Sequence, residues 1–438
     1  MTTTDFDLLS ERLDRVNAVT RYGHVTQVVG LVIESRGPAV SVGRLCIIEN
    51  PGDGRRVAAE VVGFRDDRIL LMPLGPIDGI TPGAIVSSTS EQLRIPVGPE
   101  LIGRVIGGLG QPIDGKGALL TQVTRPLLVD PIPALKRKRI TQPLRTGIKA
   151  VDLTAAVGKG QRMGIFAGTG VGKSIMLGMM ARGSSADVNV VALVGERGRE
   201  VREFIESDLG PEGMKNTVVV AVTSDQPALI RIKGAHVATT IAEYFRDQGK
   251  DVMLLMDSLT RIAMAQREIG IAVGEPPTSK GYTPSVFALL PKLLERAGNT
   301  ESGSITGLYA VLVEGDDFNE PISDAVRSVL DGHVTLSRRL ASRNQYPAVD
   351  ILDSISRLMK DVCTEEQMKP AAELRELVAV YREAEDLIAI GAYAKGSNPR
   401  IDRSIAKIDA VNALLCQGIH ELADYEQSLE QLKMILAD

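Results

Sequence analysis

A lysine followed by a hydroxyl at the end of a glycine-rich run is equipped to hold polyphosphate. The run here is Ala167, Gly168, Thr169, Gly170, Val171, Gly172, Lys173 and Ser174. Its glycines let backbone N–H groups turn inward around phosphate oxygens, and a following helix adds partial positive charge at that point. In such a loop Lys173 reaches the β- and γ-phosphates, while the Ser174 hydroxyl ligates Mg²⁺. The strict pattern opens on Gly, and Ala167 stands there instead.

Hydrolysis of a nucleoside triphosphate needs more than this cradle. It needs a carboxylate for the metal, a residue to activate water, and cations for the developing charge. Val252-Met-Leu-Leu-Met-Asp257 is an apolar run ending in a carboxylate, which makes Asp257 the candidate for the Mg²⁺ site. Val191-Ala-Leu-Val-Gly195 is another, and it runs into Glu196-Arg197-Gly-Arg-Glu200. Glu196 is therefore either the residue that orients or deprotonates the attacking water, or a surface turn residue. Arg197 and Arg261 either pair with carboxylates or stabilise the γ-phosphate; their positions in the sequence do not separate these roles.

These residues need a scaffold, and the pattern of apolar runs supplies one. Strands are expected at Arg162–Phe166, Asn189–Gly195, Thr217–Thr223, Val252–Asp257 and Gly307–Val313. Helices between them are expected at Lys173–Arg182, Glu200–Ser207, Ala228–Asp247 and Ser285–Arg296. Continuous apolar strands alternating with helices imply a parallel sheet covered on both faces. Before it, from Gly23 to about Ser90, short β-type runs separated by turns suggest a small barrel. A Gly- and Pro-rich stretch, Pro96 to Pro143, links the two. After Ile355 the β signal stops, and Thr364–Ile390, Asp402–Gln417 and Ala423–Leu436 read as a helical domain. The first 22 residues have helical spacing of Phe6, Leu9, Leu13 and Val16, which suits a helix packed on its own domain or one binding a partner.

Composition narrows the class. The chain has 438 residues, 44% of them hydrophobic and 24% charged, with a net charge of −5. That balance argues against nucleic acid as a partner, as does an aromatic content of only 3% with no Trp. Cys46, Cys363 and Cys416 are far apart and in no metal spacing, so reduced thiols in a cytoplasmic protein are expected. No apolar run approaches the ~18 residues of a membrane span. The N-terminus is polar and acidic where a signal peptide would be basic and then apolar.

Several segments resemble the ATPase core of rotary machines. Gly195-Glu-Arg-Gly-Arg-Glu200, Met256-Asp-Ser-Leu-Thr-Arg261, Tyr346-Pro-Ala-Val-Asp350 and Ser354-Ile-Ser-Arg357 carry the likeness. The run Pro347 to Ser356 fits the α/β-subunit signature of F-type ATP synthases. Phe166–Ser174, Ala263–Ile269, Gly274-Glu-Pro-Pro277 and Leu293–Gly298 resemble the type III secretion ATPases more closely. Asp331-Gly-His333 and Gly391–Ser397 point to the flagellar export group among them.

The resemblance implies an α/β fold: a small N-terminal β-barrel, a central RecA-like P-loop domain with a parallel sheet, and a C-terminal helical domain. The expected boundaries are 1–22 for a partner-binding helix, 23–92 for the barrel, 93–360 for the ATPase domain and 361–438 for the helices. It makes Glu196 the catalytic glutamate, Arg197 and Arg261 pocket arginines, and Asp257 the Mg²⁺-site carboxylate. Tyr346 is expected to pack on adenine, and Arg357 to be an arginine finger reaching a neighbouring subunit's nucleotide. ATP and Mg²⁺ are then the ligands, and a homohexamer the working form.

Further partners follow from the same likeness. A stator or regulator would bind the N-terminal helix, and a central stalk protein would meet the pore segment Gly274–Pro284, which alternatively is a rigid structural turn. Export chaperones, flagellar cargo and export-gate membrane proteins complete the set, at the cytoplasmic face of the membrane-embedded apparatus. The rival readings are a virulence injectisome ATPase, a catalytic subunit of a rotary ATP synthase, a ring-shaped RNA translocase and a non-catalytic nucleotide-binding scaffold.

Overall fold

The computed structural model describes residues 21–437 except 53, 90, 91, 314, 316, 318 and 319. The expected N-terminal helix therefore lies outside the described residues but for its last two positions. Of these, Tyr22 begins a strand instead. The chain divides into two compact units. One holds the described residues through Leu93 together with Glu268–Pro276, and the other holds Arg94–Arg267 with Pro277 onward.

The first unit is a closed barrel of β1 (Tyr22–Val29), β2 (Val32–Arg36), β3 (Leu45–Glu49), β4 (Arg56–Arg65), β5 (Arg68–Pro73) and β6 (Ile85–Ser88). The strand order is β1-β2-β5-β4-β3-β6, antiparallel throughout. Alternate residues fill it: Val25, Ile33, Cys46, Ile48, Ala59, Val61, Ile69, Leu71 and Val86 are buried together. The sequence pattern does not mark β6, because Ile85-Val-Ser-Ser88 offers only two apolar residues.

In the second unit, short pairs join β7 (Arg94–Pro96) to β9 (Thr124–Pro126) and β10 (Pro143–Leu144) to β11 (Val157–Gly158). The main sheet contains β8 (Val105–Ile106), β12 (Arg162–Ala167), β13 (Val188–Glu196), β14 (Thr217–Thr223) and β15 (Asp251–Asp257). It is completed by β16 (Gly298–Asn299), β17 (Ser304–Leu312), β18 (Gly332–Leu336) and β19 (Val349–Ser356). The order is β19-β18-β12-β17-β15-β13-β14-β8, with β16 paired to β17. The strands from β18 to β8 are parallel, while β19 and β16 run antiparallel to their neighbours.

The five apolar runs named in the sequence all lie in this sheet, and the Ala228–Asp247 helix has the expected bounds. Four strands go beyond that reading, among them the two-residue β16. The two-residue β8 extends the sheet from within the Gly- and Pro-rich stretch. In β18, Gly332 and His333 interrupt the apolar signal, although its last three residues are buried. In β19, polar residues alternate with Ile351 and Ile355, as suits an edge strand.

Three helices close the chain, Glu365–Ala389, Pro399–Leu415 and Tyr425–Ala437. Thr364 and Gln367 form a capping box on the first. The Asn398 side chain accepts from the Arg400 N–H at the start of the second, where Pro399 occupies N1. Their buried residues, among them Leu374, Val411, Leu414 and Leu432, share one apolar core with Met163, Leu177 and Val191 of the nucleotide-binding region. The helices thus belong to the second unit and do not pack apart from it.

Candidate functional site

The glycine-rich run connects β12 to the Lys173–Gly183 helix. Gly172 caps that helix with φ 87°, a left-handed conformation that side chains resist. A Cβ there would also lie 3.4 Å from the ring of Tyr346, so the tyrosine lies close against the loop's glycine backbone. The first turn of the helix presents N–H groups without intrahelical acceptors at the point where phosphate would sit. Thr169, Gly170 and Ser174 are exposed there, whereas Ala167, Gly168 and Val171 are buried.

Two neighbouring strands deliver the carboxylates. β13 and β15 are parallel, with Leu193 level with Asp257, and Glu196 ends β13. Both acids therefore stand at the C-terminal edge of the sheet, the edge at which β12 leads into the phosphate loop. Lys173 Nζ contacts Asp257 Oδ2, which joins the loop's cation to the β15 carboxylate. Asp257 Oδ1 is buried and has no hydrogen-bond partner.

Glu196 is held by Arg261 in a two-point contact: Nε donates to Oε1 at 2.9 Å and Nη2 to Oε2 at 3.2 Å. Arg261 comes from the Leu259–Val273 helix, directly after β15. It crosses the strand at Gly195, where a Cβ would lie 2.9 Å from Arg261 Cδ and φ is +75°. The glycine before the catalytic candidate thus makes room for the arginine that orients it.

Burial, and next the nearby Asp257 charge, push the Glu196 carboxyl up to about 7, against the opposing pull of Lys173 and Arg261. A carboxyl at that level is half ionised near neutrality and can accept a proton from water. The sign follows directly. Below pH 7 the acid form dominates and cannot act as base, so kcat/KM for ATP should fall about tenfold per pH unit there. A rate profile from pH 5.5 to 8.5 checks this, and replacement of Glu196 should remove the acidic limb.

Lys173, Ser174, Glu196, Asp257, Arg261 and Tyr346 thus surround one edge of the sheet. Arg197 does not join them: its side chain is 74% exposed and faces Glu200 at 3.5 Å on the Gly198–Glu203 helix. Arg357 is excluded by topology. Its N–H donates to Asp331 O, and the Asp331 N–H donates to Arg162 O at the start of β12. The rises along β12 from Arg162 to Ala167, at ~3.3 Å each, already come to about 17 Å. Arg357 is exposed at the far end of the sheet edge, its main chain remote from the phosphate loop of its own chain.

The pore-segment candidate contains a turn at Ser279–Gly281. Thr278 Oγ1 donates to Tyr282 O at 2.6 Å, and Lys280 Nζ lies 3.5 Å from Glu320. Such closing contacts suit a stiff turn. Glu200, beside Glu196 in sequence and in space, is a charged neighbour that the sequence patterns did not single out as a site residue.

Comparison with known proteins agrees with this geometry. The ATP synthase alpha/beta family nucleotide-binding domain matches residues 147–356, and that family's beta-barrel domain matches 25–90. The T3SS EscN ATPase C-terminal domain matches 363–434. The chain is 53% identical over 427 residues to the flagellum-specific ATP synthase of Bacillus subtilis, covering 97% of each. The chain belongs to the flagellum-specific and type III secretion ATPase family.

It is accordingly a nucleotide-binding protein and an ATP hydrolase, of the flagellar and type III export kind. The assembled ATPase EscN from the enteropathogenic E. coli type III secretion system aligns with TM-score 0.89 and 44% identity. That match covers 94% of this chain and 100% of EscN. EscN in complex with its central stalk EscO aligns with TM-score 0.87 and 43% identity, over the same shares. The higher identity to a flagellum-specific relative favours the flagellar member over the injectisome alternative, and the type III C-terminal domain disfavours a rotary synthase subunit. Among the described residues no helix is long and apolar enough to cross a membrane.

Proposed function

We propose that this ATPase works in flagellar protein export as a homohexameric ring, with each site completed by the adjacent copy. One observation carries the reading. The phosphate loop, Glu196, Asp257 and Arg261 share one edge of the sheet, whereas Arg357 is exposed at the other end. An arginine finger placed there has only a neighbour's nucleotide to reach.

Within each site, Lys173 and the loop N–H groups hold the β- and γ-phosphates. Ser174 and Asp257 would hold Mg²⁺, and the buried, unpaired Asp257 Oδ1 fits that use. Bound there, the ion would offset phosphate charge. Arg261 orients Glu196, Glu196 accepts a proton from the attacking water, and Tyr346 packs on adenine. Arg357 from the next copy neutralises charge developing on the γ-phosphate. Arg197, exposed and facing Glu200, takes no part in this constellation.

Partners follow the relatives. EscN's assembly and its complex with EscO support self-association and a central stalk, which the Gly274–Pro284 segment would meet. The N-terminal segment would bind a stator or regulator, and chaperones, cargo and the export gate would engage the ring at the cytoplasmic face of the membrane. The test is specific ATPase activity against protein concentration. Activity per chain should rise steeply and then level as rings form. A rate per chain that stays constant down to nanomolar, with a monomer in sedimentation, would overturn the reading.

A further inference from the structure

Gln417 follows the Pro399–Leu415 helix, more than 240 residues from the phosphate loop in sequence, and it is 6% exposed. Both polar atoms of its side chain are engaged. Nε2 donates to Gly147 O at 2.8 Å and to Glu421 O at 2.9 Å, and Oε1 accepts from the Lys149 N–H at 3.0 Å. Its own backbone N–H donates to Tyr346 O at 2.9 Å. Tyr346 is the residue whose ring lies against Gly172 of the phosphate loop.

The surrounding turn is tied down from two more directions. Arg182, in the last turn of the helix that begins at Lys173, donates to Ile419 O. Lys149 Nζ pairs with Glu421. The 417–421 turn is therefore pinned to Gly147 and Lys149 on one side and to the phosphate-loop helix on another. What it offers in return is one backbone donor on Tyr346.

We propose that Gln417 is a positioning residue for the base side of the nucleotide site. By anchoring its own backbone, it holds the Tyr346 main chain, and hence the ring, at the distance from the phosphate loop that an adenosine requires. The proposal rests on the reading of Tyr346 as the base-packing residue. The sequence alone conceals it, because the side-chain partners at Gly147 and Lys149 lie 270 and 268 residues away.

The test compares a ligand with a base to one without. Kinetics of MgATP hydrolysis are measured for Gln417→Met, which keeps the volume, and Gln417→Glu, whose carboxylate faces the carbonyls of Gly147 and Glu421. Inorganic tripolyphosphate is used as a competitive inhibitor of each variant. Gln417→Met should raise KM for ATP about tenfold, the worth of one hydrogen bond, and Gln417→Glu should raise it further. In both, kcat and the tripolyphosphate inhibition constant should stay within about twofold of the parent.

An unchanged KM would overturn the proposal. So would an equal loss of ATP and tripolyphosphate affinity, since that marks a general structural defect. Tyr346→Ala separates the two layers of inference. If it leaves KM for ATP unchanged, the reading of Tyr346 fails; if it raises KM while the Gln417 variants do not, only the role of Gln417 fails.

Discussion

Glu196→Gln should lower kcat for ATP about 10³-fold while leaving nucleotide binding within a few-fold of the parent. The amide keeps the shape of the carboxyl and can still meet Arg261, but it cannot take a proton. Phosphate contacts are made by Lys173 and the loop backbone, which this change does not touch. Single-turnover hydrolysis and binding of a fluorescent ATP analogue, measured side by side, separate the two quantities. Equal loss of both would mean that Glu196 builds the pocket and does not act on water. The elevated position of its carboxyl, near 7 through burial and the Asp257 charge, supports the catalytic assignment.

Arg357→Ala should be as severe for a different reason. Arginine fingers contribute about 10³- to 10⁵-fold to turnover in related phosphoryl-transfer sites. Arg357 is exposed, and no described carboxylate forms an ion pair with it. Its removal should therefore leave folding and thermal stability nearly unchanged, since exposed positions of this kind shift stability by about 0.5 kcal/mol or less. Nucleotide binding should persist, with activity lost at every protein concentration. Thermal unfolding, binding and steady-state turnover together check this. A loss of stability matching the loss of activity would point instead to a structural arginine at the sheet edge.

Much of this architecture is legible in the residues. The strands β12, β13, β14, β15 and β17 are buried, so each reads as an unbroken apolar run, and two of them end in the acids that matter. The edge of the sheet is less legible. β19 mixes Asp350, Asp353 and Ser354 among its apolar residues, and Asp350 is committed to Arg382 on the first C-terminal helix. Such tertiary pairings leave no periodic trace.

The arginines show the same divide. In sequence Arg197 and Arg261 are equivalent candidates, each following an apolar strand. In the fold, Arg197 is the N-cap of a short helix and is exposed, while Arg261 crosses Gly195 to grip Glu196. The distinction comes from helix direction and a glycine's missing side chain. Tyr346 and Arg357 are different again, since only the family resemblance singled them out. For Arg357 the strand register supplies the physical reason: it is remote from its own chain's loop.

The most direct test of catalysis between copies mixes two inactive variants. Glu196→Gln chains retain Arg357, and Arg357→Ala chains retain Glu196. Where the first sits beside the second in the correct order, one complete site forms. Each variant alone should be inactive, and their mixture, at concentrations where rings assemble, should recover a fraction of parental ATPase activity that peaks near equal proportions. Verified mixed assemblies with no recovery at any ratio would contradict catalysis between copies, because Glu196 and Arg357 would then have to come from the same chain.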